Sequence, residues 1–157
     1  MTYDRTATTM IRLLPLGSLV DLQIGDEFDT RYWQALKTSG GWVRVTAKPT
    51  GGQYVLVAKH EELSEVVLEK ALDEKRLWVK VKGPKVGQEI NHAVSLDGLP
   101  TGARITETER YAQRLGEPPR TFLRKGDSWV VEGGSKNLPS WAFDEVIKAG
   151  GLVLEKL

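Results

Sequence analysis

The spacing of apolar and polar residues predicts short strands along most of the chain. In LWVKVK (77–82), Leu77 and every second residue after it are apolar, whereas the positions between them are Trp78 and two lysines. Such alternation gives a strand one buried and one wet face, as in an antiparallel sheet covered on one side. GLVLEKL (151–157) and QYVLVA (53–58) predict further strands of this kind.

Two segments, residues 60–75 and residues 139–150, show the signals of a helix. In the first, apolar side chains recur at helical spacing on one face. Acidic residues fill its early turns and basic residues its end, as the helix dipole favours. In the second, Pro139 suits an early helical position and the pair Gly150-Gly151 supplies a stop. Each helix precedes a predicted final strand.

The two halves of the chain read as copies of one another. RYWQAL (31–36) and RYAQRL (110–115) agree at four of six positions. Upstream, GDEF (25–28) and GARI (102–105) each place a glycine three residues ahead of a large apolar residue. These matches indicate an internal duplication. The alternative is an ordinary α+β sequence in which such spacings coincide.

The similarity between the halves continues downstream. SGGWVRV (39–45) and KGDSWVVE (125–132) both place turn-forming residues before a Trp-Val pair, as a hairpin requires. A helix and a closing strand then follow in each half. The first half carries an additional predicted strand at 53–58, introduced by the Gly51-Gly52 turn.

From these patterns we predict an α+β fold made of two tandem, diverged β-rich units. Each unit is expected to be about β-β-β-α-β, with a mostly antiparallel sheet and one helix. The predicted divisions are an N-terminal strand region at 1–24, a first unit at 25–82, a linker with a short strand at 83–101 and a second unit at 102–157.

Composition excludes several classes of function. The 157 residues include 22 basic and 21 acidic side chains, a formal net charge of +1, so the chain lacks the basic excess typical of nucleic-acid-binding proteins. The absence of cysteine excludes disulfides, cysteine nucleophiles and thiolate metal sites. The N-terminal residues show neither a signal peptide nor a membrane anchor. The expected location is therefore the cytoplasm.

Motifs for catalysis and cofactor binding are missing from the sequence. His60 begins HEEL, which departs from the HExxH zinc pattern because Ser64 stands in place of the second histidine, and His92 lies in the predicted linker. The sequence contains no GxSxG nucleophile motif and no glycine-rich phosphate loop. GDEF lacks the residues that surround it in diguanylate cyclases. We predict no catalytic residues, no metal and no cofactor.

The five tryptophans are the most suggestive residues for binding, because aromatic side chains dominate interaction hot spots. Trp42 and Trp129 occupy matching positions in the two halves, so a shared role in the core is expected. Trp33 has no counterpart in the second half, and Trp78 shares its strand face with lysines. Trp33 and Trp78 are therefore the predicted exposed binding residues.

A basic-aromatic strip is predicted at Trp78, Lys80, Lys82 and Lys85. Aromatic stacking combined with phosphate contacts is a common way to hold single-stranded nucleic acid. Lysines on one strand also discourage edge-to-edge pairing of sheets, which is the simpler interpretation. Nucleic-acid or nucleotide binding through this strip is therefore the alternative function.

The second half resembles a small domain type that recurs, often in tandem, in accessory proteins of phages infecting actinobacteria. The pattern is LPxG before a short strand, a hairpin with glycine before tryptophan, a polar loop, a helix and a final hydrophobic strand. It is represented by LPTG (99–102), Gly126 to Trp129, the loop at 132–138 and Leu152 to Leu154. The first half departs from it, because LPLG (14–17) lies well upstream of GDEF.

The resemblance implies no catalytic residues and implies binding to a host factor, a defence component or another phage protein. Our leading hypothesis is a non-catalytic module that binds a host or viral protein in the host cytoplasm. Nucleic-acid binding is the alternative, and an enzyme of unfamiliar type is the third hypothesis. No membrane partner is expected, and the sequence leaves a homodimer open.

Overall fold

The computed structural model describes residues 11–25 and 28–157, which form two five-stranded sheets. The strands of the first sheet are β1 (Leu19–Ile24), β2 (Arg31–Thr38), β3 (Gly41–Thr50), β4 (Gln53–Leu63) and β5 (Leu77–Val81). Helix α1 (Glu65–Asp73) connects the last two strands. The spatial order is β4-β3-β2-β1-β5, so that β4 and β5 are the edges.

The second sheet is preceded by helix α2 (Ala93–Leu96). Its strands are β6 (Arg104–Glu107), β7 (Thr121–Lys125), β8 (Ser128–Val131), β9 (Asn137–Leu138) and β10 (Leu152–Lys156). Helix α3 (Glu109–Leu115) joins β6 to β7, while a 3₁₀ turn (Ser140–Phe143) and helix α4 (Asp144–Lys148) join β9 to β10. The spatial order is β10-β6-β7-β8-β9.

These elements confirm an α+β fold with two β-rich units. Every strand pairing is antiparallel. The predicted unit has four strands, whereas both sheets have five, and in the first sheet β1, which the prediction assigned to a separate N-terminal region, lies inside the sheet between β2 and β5. Residues 1–10 of the predicted N-terminal strand region lie outside the described residues, as do positions 26 and 27 of GDEF.

The two sheets have the same topology. Strands β1 to β5 correspond in turn to β6 to β10, and a helical segment joins the last two strands in both. Backbone bonds repeat as well. The N–H of Gly17 donates to the carbonyl of Lys37 at 2.8 Å, and the N–H of Gly102 donates to the carbonyl of Arg124 at 3.0 Å. The duplication is therefore present in the hydrogen bonds as well as in the strand order.

The pairing of the two halves that the sequence suggested is nevertheless wrong. RYWQAL lies in strand β2, whereas RYAQRL lies in helix α3. Thr108 begins that helix by accepting a bond from the N–H of Tyr111 at 3.2 Å, and Gly116 ends it with a left-handed φ of 69°. The true counterparts are LPLG and LPTG, which directly precede β1 and β6.

The predicted equivalence of the hairpins at 39–45 and 125–132 is confirmed, and in both hairpins a cation lies over the tryptophan ring. Trp42 and Trp129 are the second residues of β3 and β8, the third strands of their units, and each strand follows a tight turn. Both tryptophans are buried, which confirms their predicted core role. Lys37 Nζ lies 6.0 Å from the ring centre of Trp42, and the Arg124 guanidinium lies 5.5 Å from that of Trp129. Both cations sit directly opposite their tryptophan in the strand register.

The first predicted helix begins later than its pattern suggested. The residues from Gln53 to Leu63 form one continuous strand, so the additional strand predicted at 53–58 is part of β4. Ser64 then caps α1, because its hydroxyl oxygen accepts a bond from the N–H of Val66 at 3.3 Å. What distinguishes the first unit is therefore a long β3–β4 hairpin.

This hairpin ties the two units together through buried polar contacts. The side-chain carbonyl of Gln53 accepts a bond from the N–H of Ala93 at 3.0 Å, and its amide donates to Asp144. The N–H of Tyr54 donates to Nδ1 of His92 at 3.0 Å. His92, assigned to a polar loop by the sequence, thus helps to join the units, and burial lowers its pKa.

A second buried polar group at this junction is Asp97, which directly follows α2. The hydroxyl of Ser140 reaches its two carboxylate oxygens at 2.9 and 2.8 Å. Burial raises the pKa of Asp97 from its usual 3.8 to about 6, although the Ser140 bond and the charge of Arg124 oppose the shift. Asp97 and Ser140 are both sealed from solvent, at 8% and 7% exposure. They therefore serve the packing of the junction.

Alanine at Gly17 and at Gly102 provides a matched test of the repeated turn. Both glycines have a positive φ, 86° and 93°. A Cβ on Gly17 would lie 2.5 Å from the carbonyl oxygen of Ser95, whereas a Cβ on Gly102 would meet nothing within 4 Å. In urea unfolding, we expect Gly102→Ala to cost about 1 kcal/mol from backbone strain, and Gly17→Ala at least about 2 kcal/mol more. Equal losses would contradict the packing of the two units at Gly17.

Asp97→Asn is expected to stabilise the protein at neutral pH. Because the folded-state pKa lies above the unfolded value, the wild-type chain loses stability as pH rises from about 4 to about 6. The shift of about two pKa units corresponds to about 3 kcal/mol at most. Urea unfolding should show the gain at pH 7 and little difference near pH 3.5. Glu155→Gln, at an exposed carboxylate on β10, is the control, and an equal gain there would contradict the interpretation.

Candidate functional site

The outer edge of β5 combines unpaired backbone groups with exposed apolar side chains. Its inner edge pairs with β1, with Asp21 opposite Trp78. Within residues 11–25 and 28–157, no backbone group bonds the outer edge. Trp78 is 45% exposed and Val79 is 38% exposed. Such an edge is a template for an additional strand.

The corresponding strand of the second sheet, β10, has its outer edge occupied by the chain itself. The N–H of Ile90 donates to the carbonyl of Leu152 at 2.9 Å, and the N–H of Leu154 donates to the carbonyl of Gln88 at 3.0 Å. The N–H of Gly87 then donates to the carbonyl of Leu154 at 2.7 Å. This short segment runs antiparallel to β10 and covers its edge.

The repeated register identifies the free groups of β5. Leu77 and Val79 on β5 correspond to Leu152 and Leu154 on β10. The reason is that β5 pairs with β1 in the same register in which β10 pairs with β6, and both pairings contain an irregularity before the last pair. The carbonyl of Leu77 and the N–H and carbonyl of Val79 therefore point away from the sheet. These are the three kinds of contact through which β10 holds its own segment.

A charged pair borders this edge on the face that carries Trp78. Lys80 Nζ lies 3.6 Å from a carboxylate oxygen of Asp21. The other carboxylate oxygen of Asp21 is buried and has no hydrogen-bond partner within the described part of the chain. A buried acceptor without a partner is costly, so a donor supplied at this face is favourable.

The other edge of the same sheet, β4, has a different character. Its exposed stretch carries Lys59, His60, Glu61 and Glu62, and the first of these reaches Asp127 of the second unit at 3.5 Å. His60 Nε2 lies 2.8 Å from the hydroxyl of Thr46 on β3. Charged residues along an edge discourage the addition of a strand. The β5 edge lacks this protection at Trp78 and Val79.

The predicted binding residues do not form a single surface. Trp78 and Lys80 lie together on β5, and Lys82 and Lys85 are exposed in the segment that follows it. The side chains of Lys82 and Lys85 form no ion pair with any described residue. Lys80 is partly neutralised by Asp21. The residues of the basic-aromatic strip therefore follow one another along the chain, and one of its three lysines, Lys80, is held in an ion pair with Asp21.

Trp33 lies apart from these residues, on the opposite face of the first sheet. It stands opposite Leu22 in the register, whereas Trp78 stands opposite Asp21. It is half-buried against the core beside α1, and the guanidinium of Arg44 lies 5.1 Å from its ring centre. Arg44 is held in turn by Glu61, whose hydrogen bond raises the arginine pKa. Trp33 therefore has packing partners within its own unit.

Val79 is the edge residue that the sequence pattern missed. Alternation placed it on the buried side with Leu77 and Val81, and those two residues are buried as predicted. Val79 stands opposite Val20, on the face of Leu77, and its exposure follows from its place on an edge strand. The register shift comes after Val79 and brings Val81 opposite Leu19. An edge position has no signature in the spacing of apolar residues, but the equivalence of LPLG and LPTG would have aligned Val79 with Leu154.

No family model, curated protein or solved structure matches this chain. In the part of the chain that the structure describes, no three acidic or histidine side chains lie close enough to hold a metal ion. Among the same residues, no helix is long and apolar enough to cross a bilayer. The interpretation of the site therefore depends on the comparison of the two units within the chain.

Proposed function

We propose that this chain is a binding module that takes an extended segment of a protein partner onto the open edge of β5. One observation carries the proposal. The same unit occurs twice, and in the second copy the equivalent edge already holds a strand segment in a defined register. The first copy offers the same backbone groups with Trp78 and Val79 exposed beside them.

Strand addition explains why both the backbone and the side chains of β5 matter. Main-chain hydrogen bonds supply affinity in this mode of recognition, and side chains at alternate positions supply specificity. Trp78 offers a large apolar surface on one face of the edge, and tryptophan is enriched in binding hot spots. Lys80 and Asp21 add a polar border beside it. A partner segment with an apolar residue facing Trp78 fits this arrangement.

The resemblance to phage accessory domains suggests the source of the partner. Such proteins bind host factors, defence components or other phage proteins, so we propose a host or viral protein as the partner. The proposed site of action is the host cytoplasm. The chain acts here by binding, without a catalytic step.

Nucleic-acid binding is the alternative, and the exposed side chains of Trp78, Lys82 and Lys85 favour it. Three features weigh against it. The net charge is +1, Lys80 is engaged by Asp21, and Trp33 lies on the other face of the sheet. Affinity through this strip is expected to fall steeply with salt, whereas strand addition is less sensitive.

Val79→Lys is expected to abolish partner recovery in a pull-down from an actinobacterial lysate. A lysine at the centre of the edge opposes strand addition, and because Val79 is 38% exposed the longer lysine side chain can extend into solvent. Val57→Lys is the matched control, because Val57 is 56% exposed on β4, the opposite edge of the same sheet. We expect recovery with wild type and Val57→Lys, and at least a tenfold loss with Val79→Lys, with and without nuclease.

Three outcomes would contradict this proposal. If Val79→Lys recovers the partner as wild type does, the edge is not the site. If the bound material disappears with nuclease, the lysine strip is the site. If light scattering finds a dimer that Val79→Lys dissociates, the edge serves self-association.

A segment of the same chain is the alternative to a partner segment, and residues 1–10, which lie outside the described residues, contain the candidate. Residues 3–5 precede LPLG by as many positions as residues 88–90 precede LPTG. A partner that binds only after residues 1–10 are removed would therefore overturn the proposal for the full chain.

A further inference from the structure

Arg110 and Arg114 are the two described arginines whose side chains have no partner within residues 11–25 and 28–157. The other described arginines all form an ion pair or lie over an aromatic ring, and these are Arg12, Arg31, Arg44, Arg76, Arg104, Arg120 and Arg124. Guanidinium groups remain charged and carry five donors each. Both residues are exposed and lie on the same helix, so their donors are available to a ligand.

Both arginines line one cleft of about 210 Å³ on the second unit. The remaining lining residues are Glu89, Thr108, Tyr111, Ala149 and Gly150. Arg110 and Arg114 are four residues apart on α3, so their side chains share one side of the helix. Like charges at this spacing destabilise a helix. The pair therefore carries a cost that an anion in the cleft would remove.

The helix that presents these arginines is held firmly against the second sheet. Ala112, in the middle of the helix, is buried. The ring of Tyr111 packs against Gly151, where a Cβ would lie 2.6 Å from the ring carbon Cγ. The hydroxyl oxygen of Thr108 accepts from the N–H of Tyr111, which fixes the first turn. The cleft wall is therefore preorganised, which lowers the entropic cost of binding.

Helix α3 is also an addition to the repeated unit. In the first unit, β1 and β2 are joined across residues 25–30, whereas β6 and β7 are joined across α3 and the residues after it. The described residues of that first connection, Gly25 and residues 28–30, contain no helix. The inserted helix α3 thus brings both unpaired arginines to the cleft. Its packing against the second sheet does not require arginine at these two positions.

We propose that this cleft binds the phosphate group of a small phosphate monoester. A guanidinium group can donate two parallel hydrogen bonds to the oxygens of a phosphate group. Two guanidinium groups also balance the roughly two negative charges of a phosphate monoester. The Glu89 carboxylate, which lies beside Gly150, is placed to accept a bond from a ligand hydroxyl. A phosphorylated sugar or nucleoside supplies both groups.

A polynucleotide fits this cleft less well. Glu89 lies within the cleft, and Glu109 and Glu117 stand at the two ends of α3. A nucleic-acid backbone needs a continuous run of basic side chains, because its affinity comes from many phosphate contacts. The two arginines form an isolated basic spot, which favours a single phosphate group.

The test is a titration of the full chain, at low ionic strength, followed by amide chemical shifts. The probes are inorganic phosphate, glucose 6-phosphate and a short single-stranded DNA. We expect saturable shifts confined to residues 108–114 and 149–151, with glucose 6-phosphate tighter than inorganic phosphate. Arg110→Gln and Arg114→Gln should each weaken binding about tenfold or more, since each removes a charge-assisted contact. Arg31→Gln, at an exposed arginine paired with Asp29, is the control and should leave binding unchanged.

Several results would overturn this assignment. They are an absence of saturable shifts, equal binding by the Arg110→Gln and Arg114→Gln variants, or a DNA affinity through the same residues that exceeds that of glucose 6-phosphate. Val79→Lys should leave the titration unchanged, so failure here and failure of partner binding at β5 are distinguishable.

Discussion

Backbone groups at the edge of a sheet must bond either water or a further strand, and this requirement distinguishes the two units. Each unit places its last strand beside its first, so the strand after the helix becomes an outer strand. In the second unit, residues 87–90 bond the outer groups of β10. In the first unit, the same groups of β5 have no partner within the described residues, and Trp78 lies exposed beside them. Among the described residues, one scaffold therefore presents a filled edge and an open one.

The additions to each unit account for the differences between the two copies. The long β3–β4 hairpin of the first unit reaches the second, where Gln53 bonds Ala93 and Asp144 across the junction. Helix α3 of the second unit brings Arg110 and Arg114 to a surface cleft. The repeated core provides the fold, while the inserted segments join the units and carry the second candidate site.

The sequence predicted the fold class well because alternation, hairpin turns and paired tryptophans are local signals. It misplaced the repeat because RYWQAL and RYAQRL are compatible with either a strand or a helix, and the cap at Thr108 decides for the helix. It also missed the exposure of Val79, since a position on an edge strand leaves no mark on apolar spacing. Trp78 was identified from its lysine neighbours, but the opposite placement of Trp33 required the register.

Amide hydrogen exchange at Val79 and Leu154 in the full chain distinguishes an open β5 edge from a filled one. The two N–H groups occupy equivalent positions on β5 and β10. The account predicts that Leu154, which donates to Gln88, is strongly protected, while Val79 exchanges at close to the rate of an unfolded chain. Equal and strong protection of both amides would mean that the β5 edge is already filled in the free protein, and would contradict its role as an open acceptor of a partner strand.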